Sequence, residues 1–400
     1  MMSKPGELGA SRLAMLVAGA SVLHVAESML PHPVPGVRLG LANVFTLVAL
    51  VDLGPAAAMQ LAVMRSLVSS MVLGTFLSPT FLLSFSGAVT SALVMVAGWY
   101  LASSRALLRP GLIGISVTGA VAHILTQLFV AWLLLVRSPG VLALWPWLLI
   151  SAVAAGVLTG LVALAAVRRL DSPDVREDAL PTPEAESPYA HRYVAGSSFL
   201  HRMTPALKVG LVALVGLVAV LTTDLRVYAG LAVLLVAACL GARLNPVRML
   251  AGSRAAILFC LGALALPVLF TNWGRVLFVF GPVRITLSGV MAGLVFAARV
   301  ILLFAATGLL ALTTAPEAVA QGLSQLLVVL RPLGVKPQRL AGIVAQSWQA
   351  FPVLSREFGN LLSRGRTPGR SIRTLIQLPG EVVAGLYRMA GQVRPFEGGR

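Results

Sequence analysis

Residues 315–366 have the sequence APEAVAQGLSQLLVVLRPLGVKPQRLAGIVAQSWQAFPVLSREFGNLLSRGR, in which two amphipathic helical patterns follow each other. The first begins at Glu317, and its apolar positions share one helix face: Val319, Leu323, Leu326, Leu327 and Leu330. Pro332, Gly334 and Pro337 interrupt it, and the second pattern ends in Ser363-Arg364-Gly365-Arg366. These patterns predict two amphipathic helices with a basic tip on one side of a membrane. An arginine at such a tip fits an acidic groove on a soluble partner, and it equally fits a solvated, lipid-facing surface.

The composition of the chain is that of a polytopic membrane protein. Of its 400 residues 58% are hydrophobic and only 11% are charged. The net charge of +17 is spread over short loops and one tail, as the positive-inside rule produces, so no nucleic-acid partner is expected. Cys239 and Cys260 both lie inside apolar segments, which indicates small packed residues and neither a disulfide nor a metal site.

Apolar segments of membrane-spanning length divide the chain into two membrane halves. Six candidate spans lie at about residues 13–30, 38–53, 55–74, 81–101, 111–136 and 141–167. Four more lie at about residues 206–222, 226–241, 254–271 and 285–312. The expected fold class is therefore all-α: a polytopic helical membrane protein with about ten transmembrane helices plus a cytoplasmic helical arm. Its predicted parts are a six-span domain at 1–170, an acidic proline-rich linker at 171–196, a four-span domain at 197–312 and the arm at 313–400.

Charge predicts the orientation of these spans. If the amino terminus lies in the cytoplasm, six crossings return Arg168 and Arg169 to the cytoplasm. The tail lies there too, where residues 331–400 contain eleven Arg or Lys against three Glu. The outer loops then hold a smaller set of arginines: Arg38, Arg137, Arg226, Arg275 and Arg284. The balance predicts a multi-pass protein of a bacterial cytoplasmic membrane with both termini in the cytoplasm.

Motifs for enzymatic chemistry are missing from the sequence. A nucleotide-binding P-loop needs a lysine followed by Ser or Thr, whereas Lys4, Lys208 and Lys336 precede Pro, Val and Pro. Prenyl synthases need clustered aspartates to hold magnesium on a diphosphate, and no two of the five aspartates are adjacent. The chain is therefore predicted not to be an enzyme and to have no catalytic residue, metal site or bound cofactor of its own.

The C-terminal half resembles the transmembrane T component of energy-coupling-factor (ECF) vitamin transporters. The resemblance rests on residues 198–208 (SFLHRMTPALK), 313–317 (TTAPE), 330–335 (LRPLGV), 351–352 (FP) with Glu357, and 363–365 (SRG). It implies that Ser363, Arg364, Gly365 and Glu357 couple the chain to one or two separate P-loop ATPase subunits, the ECF A components, which bind ATP and magnesium. T components have a second basic tip, whereas this chain has no clear one; Arg388 is a substitute, with Arg394 as the other choice. Thr204 stands where the family has an acidic residue, so a salt bridge is not expected there.

The N-terminal half resembles a family known both as heptaprenyl diphosphate synthase component I and as a Gx-type transporter. The matching residues are Glu27, 31–43 (PHPVPGVRLGLAN), Arg65, 74–76 (GTF) and 84–87 (SFSG). This family is similar to the substrate-binding S components of ECF systems, which implies a substrate-binding membrane domain. The missing aspartate clusters favour transport over synthesis.

Polar residues inside the N-terminal spans are few, and each indicates a cavity or a bundle interior. Glu27 and Arg65 are predicted to approach each other or to line a pocket that opens outward, with Asn43 contributing an amide. His123 and Gln127, four residues apart, form a second polar face. The alternative is that Glu27 is interfacial and that His123 bonds a neighbouring helix.

Ala14 and Ala18 form a small-xxx-small pair in the first span, which lets another helix approach closely. Such pairs are common in alanine-rich spans. S components dock on the T component through an alanine pair in their first helix, so the resemblance implies that Ala14 and Ala18 form the docking contact between the two halves.

Together these features predict a fused S-like and T-like membrane subunit of an ECF-type ABC importer. Its partners would be ATPase subunits, the lipid bilayer and a vitamin-like or cofactor-precursor small molecule, which the sequence does not name. Two alternatives are a membrane subunit of a prenyl diphosphate or quinone synthesis complex and a scaffold for a membrane electron-transfer complex.

Overall fold

A computed structural model describes the protein at residues 5–29, 40–73, 75–103, 111–136, 139–170, 193–194, 196–246, 261–262, 264–265, 267–271, 273–281, 283–333 and 337–364. Long apolar segments form helices because a helix satisfies its own backbone hydrogen bonds in lipid.

The described residues of the N-terminal half form six α-helices. They are α1 (Pro5–Met29), α2 (Ala42–Asp52), α3 (Pro55–Leu73), α4 (Pro79–Ser103), α5 (Leu112–Val130) and α6 (Trp145–Leu170). A π-helical turn, Ala131–Val136, and a 3-10 turn, Pro139–Leu144, connect α5 to α6. Pro55 and Pro79 stand at the first positions of their helices, where proline costs no hydrogen bond.

Helices α5 and α6 approach each other closely because α6 has glycines four residues apart. A Cβ atom at Gly156 would lie 2.7 Å from Val117 Cα, and one at Gly160 would lie 2.8 Å from Ile113 Cα. This small-xxx-small contact permits backbone-to-backbone packing. The resulting α5–α6 pair forms one wall of the N-terminal half.

The C-terminal half contains α7 (Phe199–Arg202), α8 (Pro205–Leu221), α9 (Leu225–Gly241) and α10 (Leu287–Thr313). Further helical residues lie between 261 and 270. An antiparallel hairpin of β1 (Val276–Phe280) and β2 (Val283–Thr286) precedes α10. Thr286 then caps α10, because its hydroxyl oxygen accepts from the backbone N–H of Gly289 at 3.1 Å.

The C-terminal arm consists of α11 (Pro316–Leu326), a 3-10 turn (Leu327–Leu333) and α12 (Pro337–Arg364). Helix α11 packs on the start of α8, where a Cβ atom at Gly322 would lie 2.7 Å from the backbone carbon of Pro205. Helix α12 packs on α1 and α3 of the other half. The apolar face of α12, which includes Ile343, Val344 and Phe351, belongs to the same buried cluster as the apolar residues of α1.

The all-α membrane class predicted from the sequence is confirmed. Within the described residues, five helices are long and apolar enough to cross a membrane, and three apolar helices of 10–17 residues accompany them. Leucines and valines on α8 and α9 are exposed, as lipid-facing residues of a span are. The hairpin was not expected. Helix α11 ends at Leu326 although the apolar pattern continues to Leu330, because the chain continues from Leu327 as a 3-10 turn that contains Pro332.

Candidate functional site

A polar cavity lies inside the N-terminal half, among α1 to α6. It encloses about 710 Å³ between its lining atoms, with its opening included. Its lining residues are His24, Glu27, Gly40, Ala42, Asn43, Arg65, Ser84, Met95, Ser116, Ala120, His123, Ile124, Gln127, Ser151, Ala152, Ala155 and Thr159. The five residues predicted from the sequence as ligand contacts, Glu27, Asn43, Arg65, His123 and Gln127, all line this one cavity.

Two hydrogen bonds fix the charged side chains of the cavity. Arg65 donates from its guanidinium to Asn43 Oδ1 at 3.0 Å. Glu27 Oε1 accepts from the backbone N–H of Gly40 at 2.6 Å. Both charged residues are buried. These two bonds hold both side chains at the wall of the cavity.

Gly40 makes the second of these bonds possible. Its φ of +73° lies in the left-handed region, which favours glycine over residues with a side chain. It lies two residues before the first residue of α2, on which Asn43 lies in the first turn. The local backbone thus brings Glu27 and Asn43 to the same edge of the cavity.

His123 reaches the cavity because helix α4 has a glycine opposite it. A Cβ atom at Gly87 would lie 2.9 Å from Cε1 of the His123 ring, so the imidazole lies directly against the α4 backbone. Gln127, one helical turn later, and Ser116 line the same cavity. Ser116 is buried, and its hydroxyl has no hydrogen-bond partner within the described part of the chain.

Helix α12 of the C-terminal arm contacts α1 near the end of α1 that lies away from the cavity. Ser347 of α12 donates a hydrogen bond to the backbone oxygen of Ala14 at 2.8 Å, and it also bonds Ile343 O within its own helix. Ser347 and Ala18 are 0% exposed and Ala14 is 1% exposed. The absence of a large side chain at Ala14 lets α12 reach the backbone of α1. The predicted docking role of Ala14 and Ala18 stays a prediction, and this geometry is compatible with it.

Helix α1 therefore connects the cavity to the arm. Glu27, near its C-terminal end, lines the cavity, whereas Ala14 contacts α12. Thirteen residues separate these positions, about 20 Å along a helix at 1.5 Å per residue. The same helix therefore contacts both α12 and the cavity.

Arg299, in the middle of α10, is a residue that the sequence analysis missed. It is 1% exposed, and its Nε donates to Ala219 O at 2.9 Å and to the Tyr228 hydroxyl at 3.2 Å. It also donates to Thr222 O at 3.2 Å and to Leu134 O at 2.7 Å. Leu134 belongs to the π-helical turn of the N-terminal half, so Arg299 ties the two halves together. An arginine inside an otherwise apolar span is the signal that identifies such a residue.

Apolar residues surround this tie. Phe296, Val300 and Phe304 of α10 form a buried cluster with Leu128 and Val141 of the N-terminal half. Within the described residues, the contacts between the N-terminal half and the rest of the chain include α12 against α1 and α3, and α10 against α4 and the π-helical turn after α5.

His201 and Lys208, in the segment that resembles the T-component signature, have structural roles. The two ring nitrogens of His201 bond Ser198 Oγ at 2.7 Å and Val194 O at 2.9 Å. Lys208 Nζ donates to Thr313 O at 2.9 Å and to Thr314 Oγ1 at 3.2 Å. Lys208 therefore ties the start of α8 to the end of α10, whereas His201 holds its own segment together; within that segment the backbone N–H of Val194 donates to Leu312 O at 2.9 Å.

The predicted ATPase-coupling residues lie at or beyond the end of α12. Glu357, Ser363 and Arg364 belong to that helix. Gly365 and Arg388 lie outside the described residues.

Comparison with known families agrees with this division into two halves. Residues 16–165 match the family described as heptaprenyl diphosphate synthase component I. Residues 196–367 match the family described as cobalt transport protein. The two resemblances found in the sequence are thereby confirmed.

Similar proteins include transmembrane proteins of ECF transporters. The chain is 29% identical over 171 residues to the energy-coupling factor transporter transmembrane protein EcfT of Thermosediminibacter oceani, a match that covers 43% of this chain and 64% of that protein. It is 27% identical over 184 residues to the EcfT protein of Leuconostoc gelidum subsp. gasicomitatum, covering 46% of this chain and 68% of that protein. A putative ABC transporter ATP-binding protein of Bifidobacterium longum is 29% identical over 178 residues, or 44% of this chain and 23% of that protein.

These matches leave more than half of this chain outside each alignment, and the first relative is itself matched over slightly less than two thirds of its length. The two family matches lie one in each half. The chain is a multi-pass membrane protein whose residues 16–165 are similar to the heptaprenyl diphosphate synthase component I family and whose residues 196–367 are similar to the cobalt transport protein family.

Proposed function

We propose that this chain is the membrane subunit of an ECF-type ABC importer, combining substrate binding with coupling to separate ATPase subunits. The polar cavity of residues 1–170 takes up a vitamin-like or cofactor-precursor small molecule. The arm of residues 313–400 binds the ATPase subunits, which act as the motor. The observation that carries this proposal is the contact of α12 with α1, because α1 also forms part of the cavity.

The proposed motor consists of one or two P-loop ATPase subunits that bind ATP and magnesium. Support comes from relatives named as ECF transporter transmembrane proteins and from the similarity to a protein named as an ABC transporter ATP-binding protein. The chain itself performs no covalent chemistry in this proposal. Ser363, Arg364 and Gly365 form the tip that enters an acidic groove of an ATPase, with Glu357 and Arg388 as accessory contacts.

The proposed mechanism is a lever. ATP binding and hydrolysis move α12, and α12 moves α1 through the Ser347–Ala14 contact. The six-helix domain then tilts between outward and inward access. The motor drives this shift only if it binds the two states with different free energies.

We place both termini in the cytoplasm of a bacterium. The cavity lies near the C-terminal end of α1 and the N-terminal half of α6, so Arg168 and Arg169, in the last turn of α6, belong to the opposite end of the bundle. Arg12 lies at that same end, where it pairs with Asp52 at 3.0 Å. These cations mark the cytoplasmic side by the positive-inside rule, and the cavity then opens outward.

Arg364→Glu tests the proposed motor contact. Reversing the charge at the tip is expected to abolish co-purification of ATPase subunits with the tagged chain from its native membrane, because a glutamate repels an acidic groove. Arg339→Glu, the same change at an exposed site near the other end of α12, is the control and is expected to retain the ATPases. Equal ATPase recovery from both variants contradicts the proposed contact.

A second candidate function follows from the description of the N-terminal family. A subunit of a prenyl diphosphate synthesis complex would co-purify with a prenyl synthase and would raise formation of prenyl diphosphate. Mass spectrometry of the same purified material distinguishes the two functions: a synthase or redox subunits without any ATPase would replace the importer proposal.

A further inference from the structure

We propose that the hairpin of β1 and β2 lies in the membrane–water interface, at the end of α10 that is opposite to the arm, with lipid as its partner. In this position its apolar side chains contact the acyl chains and its arginines contact the lipid phosphates. The inference concerns the surface of the C-terminal half and does not depend on the importer function proposed above.

The hairpin is fixed to the end of a membrane span. The backbone N–H of Leu287, the first residue of α10, donates to Arg275 O at 2.8 Å. The hydroxyl of Thr286, which is buried, donates to Thr271 O at 2.8 Å. Helix α10 is one of the helices long and apolar enough to cross a membrane. The hairpin therefore stands where this span leaves the hydrocarbon layer.

Apolar side chains of the hairpin are exposed. Val276, Leu277, Phe278 and Val279 follow one another along β1 and are all exposed, Phe278 by 72%, and Trp273 just before the strand is exposed by 69%. A contiguous exposed apolar surface of this kind is rare on proteins in water, and it marks a site of protein or membrane contact. Bulk water is thus an unfavourable surrounding for β1.

The backbone of the hairpin excludes the opposite extreme, the hydrocarbon core. Within the described residues β1 and β2 form a two-stranded sheet, so each strand has one edge with no strand beside it. Open sheet edges do not occur in the hydrocarbon core, because their N–H and C=O groups have no partners there. The interface supplies acyl chains for the apolar side chains and water for the strand edges, so it satisfies both requirements.

The pairing of the two strands gives the hairpin two different faces. Phe278 pairs with Ile285, and Val279 pairs with Arg284. Because paired residues share a face and successive residues alternate between faces, Phe278 and Ile285 lie on one face and Arg284 lies on the other. The apolar face suits the acyl chains, whereas the long side chain of Arg284 suits the headgroup phosphates.

The surface beside the hairpin favours lipid over a second protein as the group that covers it. Leu287, Met291 and Leu294 of α10 are exposed, and their spacing places them on one side of that helix. Exposed apolar residues along a membrane span face lipid, and this stripe begins where β2 ends. Trp273 and Arg275, which are exposed close to the stripe, are of the residue types that anchor proteins at membrane–water interfaces.

Spin labels on the full-length chain in lipid nanodiscs test this assignment. In a background of Cys239→Ala and Cys260→Ala, single labels are attached through Phe278→Cys and, on the opposite face, through Arg284→Cys. Leu234→Cys, at an exposed leucine within α9, is the lipid reference. The readout is the collision rate of each label with oxygen, which dissolves in lipid, divided by its collision rate with a nickel chelate, which stays in water.

The label at position 278 is expected to give an oxygen-to-nickel ratio several-fold higher than the label at position 284, because an interfacial element buries its apolar face about 5–10 Å into the boundary of the acyl chains. Its ratio is expected to lie between those of positions 284 and 234. If nickel reaches positions 278 and 284 equally, the hairpin lies in water and the proposal is wrong. If neither oxygen nor nickel reaches position 278, a protein surface covers it and the proposal is equally wrong.

Trp273 supplies a second readout that needs no label. Lipids with brominated acyl chains are expected to quench part of the tryptophan fluorescence of the unmodified chain, and Trp273→Phe is expected to remove a portion of the quenched signal. Identical quenched signals from the two chains would show that Trp273 does not contact the acyl chains, which would overturn the proposed position of the hairpin.

Discussion

Ala14→Trp is expected to disconnect the cavity from the ATPase motor while leaving both intact. The α1–α12 contact has no room for an indole, because Ala14 is 1% exposed and Ser347 lies 2.8 Å from its backbone oxygen. Overpacking of this kind costs typically about 1–3 kcal/mol, and here separation of the two helices relieves it. ATPase subunits are expected to remain bound, since the arm tip is unchanged.

The measurement is ATP-dependent accessibility of the cavity. A cysteine introduced as Gln127→Cys is labelled with a membrane-impermeant maleimide, with and without ATP, in membranes that contain the ATPases. ATP is expected to change the labelling rate about tenfold, a shift of about 1.4 kcal/mol in the open population, and Ala14→Trp is expected to remove the change. Ala97→Trp, at an exposed alanine of α4, is the control. A full ATP response in Ala14→Trp would show that α1 is not the lever.

Arg299→Leu is expected to separate the two halves. The substitution removes the donors Nε, Nη1 and Nη2 of these hydrogen bonds, each worth about 0.6–1 kcal/mol between helices in a membrane, for a total of roughly 2–3 kcal/mol. Tyr228 still donates to Ala219 O and Thr222 O, so the loss falls mainly on Leu134 O. The direct connection between the halves is therefore weakened more than the C-terminal half itself.

The measurement uses a protease site inserted in the linker at residues 171–192. After cleavage the two halves of the unmodified chain are expected to co-elute in size-exclusion chromatography, held by the α12 and Arg299 contacts. In Arg299→Leu the co-eluting fraction is expected to fall several-fold. Arg226→Leu makes the same change at an exposed position of α9 and is expected to have no effect. Undiminished co-elution of the Arg299→Leu halves would assign Arg299 to local stability alone.

Much of the helical architecture followed from hydropathy. The apolar segments predicted at 55–74 and 226–241, for example, correspond to α3 (Pro55–Leu73) and α9 (Leu225–Gly241). These positions were predictable because an apolar segment in lipid must pair its own backbone N–H and C=O groups, which a helix does. The hairpin before α10 was not predictable from hydropathy, because Val276–Phe280 is as apolar as a membrane span. Its pairing with Val283–Thr286 depends on the turn at Gly281.

The candidate site was predictable where a buried polar residue stands out from an apolar background. Glu27, Arg65 and His123 were selected for that reason, and they line one cavity. Arg299 is also a charged residue in an apolar segment. Its contact with the N-terminal half is not predictable, because it depends on the π-helical turn that contains Leu134. The sequence gives no indication that Ser347 contacts α1, because its bond to Ala14 O joins residues 333 positions apart.

The most direct test of the account asks whether the motor reaches the ligand-binding half through the rest of the chain. The full-length protein, tagged at its amino terminus and carrying the protease site in the linker, is cleaved in native membranes and then purified in mild detergent. The account predicts that the tagged half brings with it both the C-terminal half and P-loop ATPase subunits, and that Arg364→Glu removes only the ATPases. Recovery of the tagged half without its C-terminal partner and without ATPases would contradict the account, because the contacts at Ala14 and Arg299 would then not hold the importer together.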